Sequence, residues 1–147
     1  MRALVQRVSQ ASVLANAEIT GEIRRGLLVF LGIREGDGES GAAKLAKRIA
    51  KLRIFPDNNG KMNLSLRDIS GEMLIVSQFT LYGDTTGGNR PSYSEAAKPE
   101  VAKPLYEAFI QLCKEEGITV ATGVFGAHME VSLINDGPVT LICHSES

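Results

Sequence analysis

The sequence predicts an α+β protein in which a curled antiparallel or mixed β-sheet, barrel-like, carries two main helices on one side. Three observations support this. Short apolar or alternating runs recur along the chain, and only two segments carry a helical stripe. Strands and helices also fail to alternate regularly, which argues against a doubly wound parallel sheet. At 147 residues, 44% hydrophobic and 22% charged, the chain fits one domain spanning 1–147 and can bury a real core.

Residues 2–8 and 12–15 run in strand fashion, and GLLVFLGI (26–33) reads as a buried strand. REGDGESG (34–41) is polar and glycine-rich, hence a loop. The helix after it places Leu45, Ile49 and Leu52 on one face, with Lys44, Lys47, Arg48 and Lys51 on the other. RIFPDNNGKMNLSL (53–66) holds Asn59-Gly60, a tight-turn pair because both residues tolerate positive φ. EMLIVSQFTLYGD (72–84) begins as a strand and ends polar, and GDTTGGNRPS (83–92) is a loop. The second helix lies within 98–116, carries Val101, Leu105, Phe109 and Leu112, and stops at Gly117. Pro104 either opens that helix or bends it. ITVATGVF (118–125), HMEVSLIND (128–136) and VTLIC (139–143) read as the closing strands.

Arg2, Gln6, Arg7, Ser9 and Gln10 break every apolar run at the start, and no stretch is long enough to span a bilayer. A cytoplasmic protein with no membrane association is expected. Cys113 and Cys143 lie far apart without CxxC or Cys/His spacing, and His128 and His144 add no ligand pattern. Buried free thiols are expected, with no metal and no cofactor. The 16 Lys and Arg against 17 Asp and Glu leave a net charge of −1, which disfavours a grip on long duplexes. Local contact with an RNA strand end stays compatible with it.

Three segments invite chemistry. Ser77-Gln78-Phe79-Thr80 ends an apolar strand, where backbone N–H groups released from the ladder can bind an oxyanion. Ser77 or Thr80 could act as a nucleophile, yet no histidine or carboxylate is spaced to serve as its base. The plain alternative is a strand finishing in polar residues. Asn135-Asp136-Gly137-Pro138 reads first as a turn between strands, although Gly-Pro can also hold a cis peptide whose carbonyls accept from a ligand ammonium. In Gly87-Gly88-Asn89-Arg90-Pro91-Ser92, Arg90 is either a phosphate clamp or an ordinary surface arginine. The basic helix face likewise reads as a solvated face or as a phosphate-contacting stripe.

Together, SQFTLYGD (77–84), GNRPSY (88–93) and SLINDGPVT (132–140) resemble the signatures of the D-aminoacyl-tRNA deacylase family. MRALVQRVSQASV, GEIRRGLLVFLGI, LRIFPDNNGKMNLSL and TGVFGAHMEVSL resemble its remaining blocks, in the same order. The resemblance implies a homodimer with two active sites at the interface, acting on the 3′-terminal aminoacyl-adenosine of tRNA. It makes Gly137 and Pro138 a Gly-cisPro motif inserted into the partner's site. There the motif's carbonyls face the α-amino group and exclude an L side chain. Arg7 then fixes that motif across the interface, Ser77, Gln78, Phe79 and Thr80 line the catalytic pocket, and Phe125 and Met129 stand beside it. D-aminoacyl-tRNA, and Gly-tRNA with no side chain to reject, are the implied substrates.

An aminoacyl ester is already an activated acyl group, so positioning and oxyanion stabilisation can suffice without a protein nucleophile. The chain departs from the family pattern at His128, where an aspartate is usual, and its tail CHSES (143–147) matches nothing. The alternative function is a non-catalytic nucleic-acid-binding module, which needs the basic helix and no intact Gly-Pro wall.

Overall fold

The structure, a computed structural model, describes residues 1–146, and Ser147 lies outside them. Strand β1 (Arg2–Ala15) is the spine of the sheet. It turns at Asn16 and Ala17, both at positive φ (52° and 61°), into β2 (Glu18–Ile23). Strand β3 (Gly26–Gly32) returns along the first half of β1. Helix α1 (Glu39–Ala50) follows, and then a short hairpin of β4 (Phe55–Pro56) and β5 (Met62–Leu64). Strand β6 (Glu72–Ser77) lies parallel to β3 and ends in a 3₁₀ turn (Phe79–Tyr82). Helix α2 (Pro99–Glu115) precedes β7 (Thr119–Thr122), which is parallel to β6, and β8 (Met129–His144) covers the other edge of β1. The path β2-β1-β3-β6-β7 nearly closes on itself. A Cβ at Gly21 of β2 would stand 2.3 Å from the Thr122 carbonyl oxygen of β7, so only glycine permits that approach. The predicted class of a barrel-like mixed sheet with two helices is the observed one.

The core explains why the strands read as continuous apolar runs. In β3 and β6, Leu27, Val29, Leu31, Met73 and Ile75 face the helices, while Leu28, Leu74 and Val76 face the inside of the curl. Strand β1 changes sides partway. Ala3 and Val5 pack on the helix side, whereas Val8, Ala11 and Val13 pack inside the curl. The pairing with β8 is irregular at both Gln6–Val8 and Val8–Gln10, and such bulges re-aim side chains. The apparent break between 2–8 and 12–15 is this bulge within one strand.

Other sequence expectations are corrected. Asn135–Pro138 is no hairpin turn, because both arms of β8 run antiparallel to the same edge of β1, from Ala15↔Met129 to Arg2↔His144. Between Val8↔Asn135 and Gln6↔Thr140, Arg7 alone faces Asp136–Val139, so those four residues arch out of the ladder. Residues 123–128 are loop and not strand, and β2 lacked a glycine turn to announce it. Helix α2 begins at Pro99 and passes through Pro104. Its buried stripe is Ala102, Leu105, Tyr106, Phe109, Ile110 and Cys113, leaving the predicted Val101 exposed. On α1, Leu45 and Ile49 are buried as expected, but Leu52 lies past the helix end and packs at the core margin.

Candidate active site

A cavity of about 540 Å³ opens at the carboxyl ends of β3 and β6. The parallel pairing of these strands puts Ser77 beside Leu31, and the Gln78 N–H continues the ladder to the Leu31 carbonyl at 2.8 Å. The chain then tightens into the 3₁₀ turn, where the Leu81 N–H bonds the Gln78 carbonyl (3.2 Å) and the Gly83 N–H that of Thr80 (2.9 Å). Neither the Phe79 nor the Thr80 N–H has a hydrogen-bond partner among the described residues. Such free donors open every helical turn; here Phe79 belongs to the cavity wall and Thr80 follows just outside it.

Ser77, Gln78, Phe79, Phe125 and Met129 all line the cavity, with Leu31, Ile33 and Val76 as its floor. Thr80 stands just outside the wall and is exposed, its hydroxyl accepting from Gln78 Nε2. No carboxylate or imidazole bonds either the Ser77 or the Thr80 hydroxyl among the described residues. The lining holds no carboxylate, lysine or arginine, and its ionisable side chains are Tyr93 and His128. The departure from the family pattern at His128 therefore falls on the cavity wall. Arg90 is exposed and is not part of that wall.

Two aromatic supports escaped the sequence reading. Tyr93 meets Phe79 edge-to-face at 5.2 Å between centroids at the cavity mouth, and both rings are substantially exposed. Tyr106 of α2 sits 5.8 Å from Phe125 and donates its hydroxyl to the Ile75 carbonyl at 3.0 Å. Burial pushes the Tyr106 phenol up to about 12, so it acts as a fixed neutral donor. The sequence signal for Tyr106 was the α2 stripe, whose Leu105 and Phe109 are buried as predicted and beside which Tyr106 and Ile110 widen the buried face.

The remaining predicted residues form a second group. Arg7, buried, donates from Nε to the Asp136 carbonyl (2.9 Å) and from its terminal nitrogen to the Ile54 carbonyl (2.6 Å). The Asp136 carboxylate stands 3.4 Å from the same Nε. Asn135 Nδ2 closes the arch by donating to the carbonyls of Arg7 (3.0 Å) and Val139 (3.1 Å). Gly137–Pro138, a cis peptide, sits exposed at its crown. Within one chain this arch stands apart from the cavity. Val131, the cavity residue of β8 nearest the arch, pairs with Val13 and Asn135 with Val8, and five strand residues span roughly 17 Å.

A curled mixed sheet under two helices, with a largely apolar cavity and free backbone donors at the end of a strand, is the frame on which the chain's relatives can be compared. The sequence profile of the D-Tyr-tRNA(Tyr) deacylase family matches residues 4–144. A D-aminoacyl-tRNA deacylase of Thermosipho africanus (strain TCF52B) is 58% identical over 146 residues, covering 99% of this chain and 98% of the relative. That of Thermosipho melanesiensis (strain DSM 12029 / CIP 104789 / BI429) is 59% identical over 147 residues, with the same coverage. A solved structure described as the c-Myc DNA Unwinding Element Binding Protein superposes with a TM-score of 0.93 at 37% identity, each chain covered completely. The chain belongs to the D-Tyr-tRNA(Tyr) deacylase family, and it is a hydrolase of the aminoacyl ester bond.

Proposed function

We propose that this protein hydrolyses the ester joining a D-amino acid to the 3′-terminal adenosine of tRNA, releasing free D-amino acid and tRNA, and that it does so as a cytoplasmic homodimer. One observation carries the mechanism: a free N–H at Phe79, in a cavity wall that holds no carboxylate and no activated hydroxyl, is followed directly by a second free N–H at Thr80. Oriented backbone donors stabilise the oxyanion as water attacks the ester carbonyl. The carbon–oxygen bond to the ribose then breaks and the ribose oxygen takes a proton, with the adjacent 2′-hydroxyl assisting. Ser77 and Gln78 position the acyl group, and Phe125 and Met129 flank it. No covalent acyl-enzyme forms on Thr80.

Chiral selection falls to Gly137 and Pro138 of a second copy. The separation of arch and cavity within one chain supports a partner's arch as the one that covers the site. The arch also lies among exposed apolar residues of β8, namely Ile134 (53%), Leu141 (38%) and Ile142 (62%), on a strand whose outer edge is unpaired among the described residues. Apolar surface and an open edge of this kind favour association. A main-chain wall reads only the stereocentre: it rejects L side chains, accepts many D side chains and admits glycine. Arg7, which ties the arch to its own chain, holds the wall's shape for the partner.

The test is purified protein with matched D-Tyr-tRNA and L-Tyr-tRNA, following loss of the aminoacyl group. Loss of the D form alone, with slower loss of Gly-tRNA at high enzyme concentration, is expected. Loss of both enantiomers overturns the wall. Loss of neither favours the second reading, a non-catalytic nucleic-acid-binding module, which the DNA-binding name of the 37%-identical structural relative suggests.

A further inference from the structure

The chain carries nearly balanced charge, but its cations are not evenly spread. Residues 44–53, KLAKRIAKLR, hold Lys44, Lys47, Arg48, Lys51 and Arg53 without one acidic residue. On α1 the buried side is Ala42, Leu45, Ala46, Ile49 and Ala50, and Lys44, Lys47 and Lys51 lie on the opposite, exposed side. Like charges three and four residues apart repel one another, so this arrangement does not serve the helix. Helix α2 shows the alternative, interleaving Glu100, Lys103 and Glu107 at those same spacings. Arg48 has a structural task, since it donates to the carbonyls of His144 and Glu146 and pins the end of β8. Lys44, Lys47 and Lys51 make no ion pair among the described residues. Past the helix end, Lys51 shares a shallow depression with Arg53 and Arg67, alongside Asp68 and Glu116.

The position of this stripe relative to the cavity gives it meaning. Ile33 is part of the cavity wall, and the loop that leads into α1 is laced to the wall's other side. The Ala97 N–H bonds the Ile33 carbonyl (2.9 Å) and the Glu35 N–H bonds the Glu95 carbonyl (3.0 Å). Helix α1 thus starts beside the cavity and leads away from it. At 1.5 Å per residue, Lys44, Lys47 and Lys51 stand about 8, 12 and 18 Å along it. We infer that this face of α1 is the track on which the phosphate backbone of the tRNA acceptor arm rests while its 3′ end fills the cavity. The inference builds on the proposed function and adds the surface that distinguishes a whole tRNA from its terminal nucleotide. Three lysines suit a sugar-phosphate backbone read by charge and not by sequence.

The experiment compares the unaltered protein with a triple variant, Lys44→Gln, Lys47→Gln and Lys51→Gln, on two substrates: D-Tyr-tRNA and the D-tyrosyl ester of adenosine, which has no acceptor arm. The variant is expected to raise KM for D-Tyr-tRNA about tenfold or more in 0.1 M salt and to lower the log–log salt slope by about two to three. Turnover of the adenosine ester stays unchanged. A triple Lys→Arg variant keeps both activities. Equal KM and equal salt slope for the Gln variant overturn the track, and so does a parallel loss on both substrates while the Arg variant stays active. If the unaltered protein hydrolyses neither substrate, the proposed function falls. Filter binding of uncharged tRNA by the unaltered and Gln proteins then still decides the track, with equal retention overturning it.

Discussion

Arg7 Nε donates to the Asp136 carbonyl at 2.9 Å, so a buried cation on the central strand holds the crown of the Gly137–Pro138 arch from beneath. The same guanidinium reaches the Ile54 carbonyl, tying the arch to the segment that follows α1. Lysine has one point of charge where arginine has a planar fork, and it cannot serve both carbonyls in this way. Arg7→Ala is expected to destabilise the protein by about 1–3 kcal/mol, because a buried acceptor loses its donor. It also lets the arch drift, lowering kcat/KM for D-Tyr-tRNA by about a hundredfold. Arg7→Lys is expected to recover most of the stability in urea titrations but little of the activity. Full activity in the Lys variant would mean that the arch needs only a charge beneath it.

Gly137 has no room for a side chain. A Cβ there would stand 2.9 Å from the backbone nitrogen of Val139 and 3.1 Å from Asn135 Oδ1. The first of these is main chain and cannot swing aside, so Gly137→Ala must shift the arch. Because the arch is exposed and outside the ladder, the urea midpoint is expected to change little. The ratio of D-Tyr-tRNA to L-Tyr-tRNA hydrolysis is expected to fall about tenfold or more. An unchanged ratio would remove Gly137 from chiral selection.

Thr80 separates two mechanisms. Its hydroxyl accepts from Gln78 Nε2 and has no base beside it, so its loss should cost orientation and not the reaction. Thr80→Ala is expected to lower the single-turnover rate by less than about tenfold, whereas loss of a true nucleophile costs on the order of a thousandfold or more. An acyl-enzyme trapped on Thr80 would decide for the nucleophile.

Much of this was legible in advance, and what was not has physical causes. The apolar run at 26–33 announces a buried strand and the start of 72–84 another, and the SQFT segment falls at a strand end because polarity begins there. Period and composition say nothing of a bulge, so the β1 break looked like two strands and the β8 arch like a hairpin turn. Each reading fails on its own long-range irregularity with no local signature: Ser9 is the extra residue on β1 between Val8↔Asn135 and Gln10↔Ile134, and Asp136–Val139 arch from β8 opposite Arg7 alone. Tyr93 and Tyr106 were missed because each acts through a neighbour, Phe79 and Phe125, that folding alone brings close. The α2 stripe is right at Leu105 and Phe109 and misses at its first residue, because Val101 is more apolar than Ala102, while the helix turns the smaller residue toward the cavity.

Two buried groups on α2 predict how the fold responds to alkali. Burial pushes the Tyr106 phenol from 10.0, and the Cys113 thiol from 9.0, each to about 12. For the thiol, the nearby Glu116 charge adds to the effect of burial. Both groups are neutral in the folded protein, whereas in the unfolded chain the thiol ionises above pH 9 and the phenol above pH 10. The unfolded state therefore binds fewer protons in that range, and stability falls as pH rises. The contribution of these groups is complete below pH 9 and is lost between about 9 and 12. Cys113→Ala removes the earlier part, so its urea midpoint, though lower at pH 8 for the lost volume, should fall less from pH 9 to 10 than that of the unaltered protein. Tyr106→Phe costs about 1 kcal/mol at neutral pH through the lost bond to Ile75, and flattens the decline above pH 10. Urea midpoints at pH 8, 9, 10 and 11 for the three proteins check both signs. Parallel curves for Cys113→Ala and the unaltered protein would show that the thiol ionises as readily folded as unfolded.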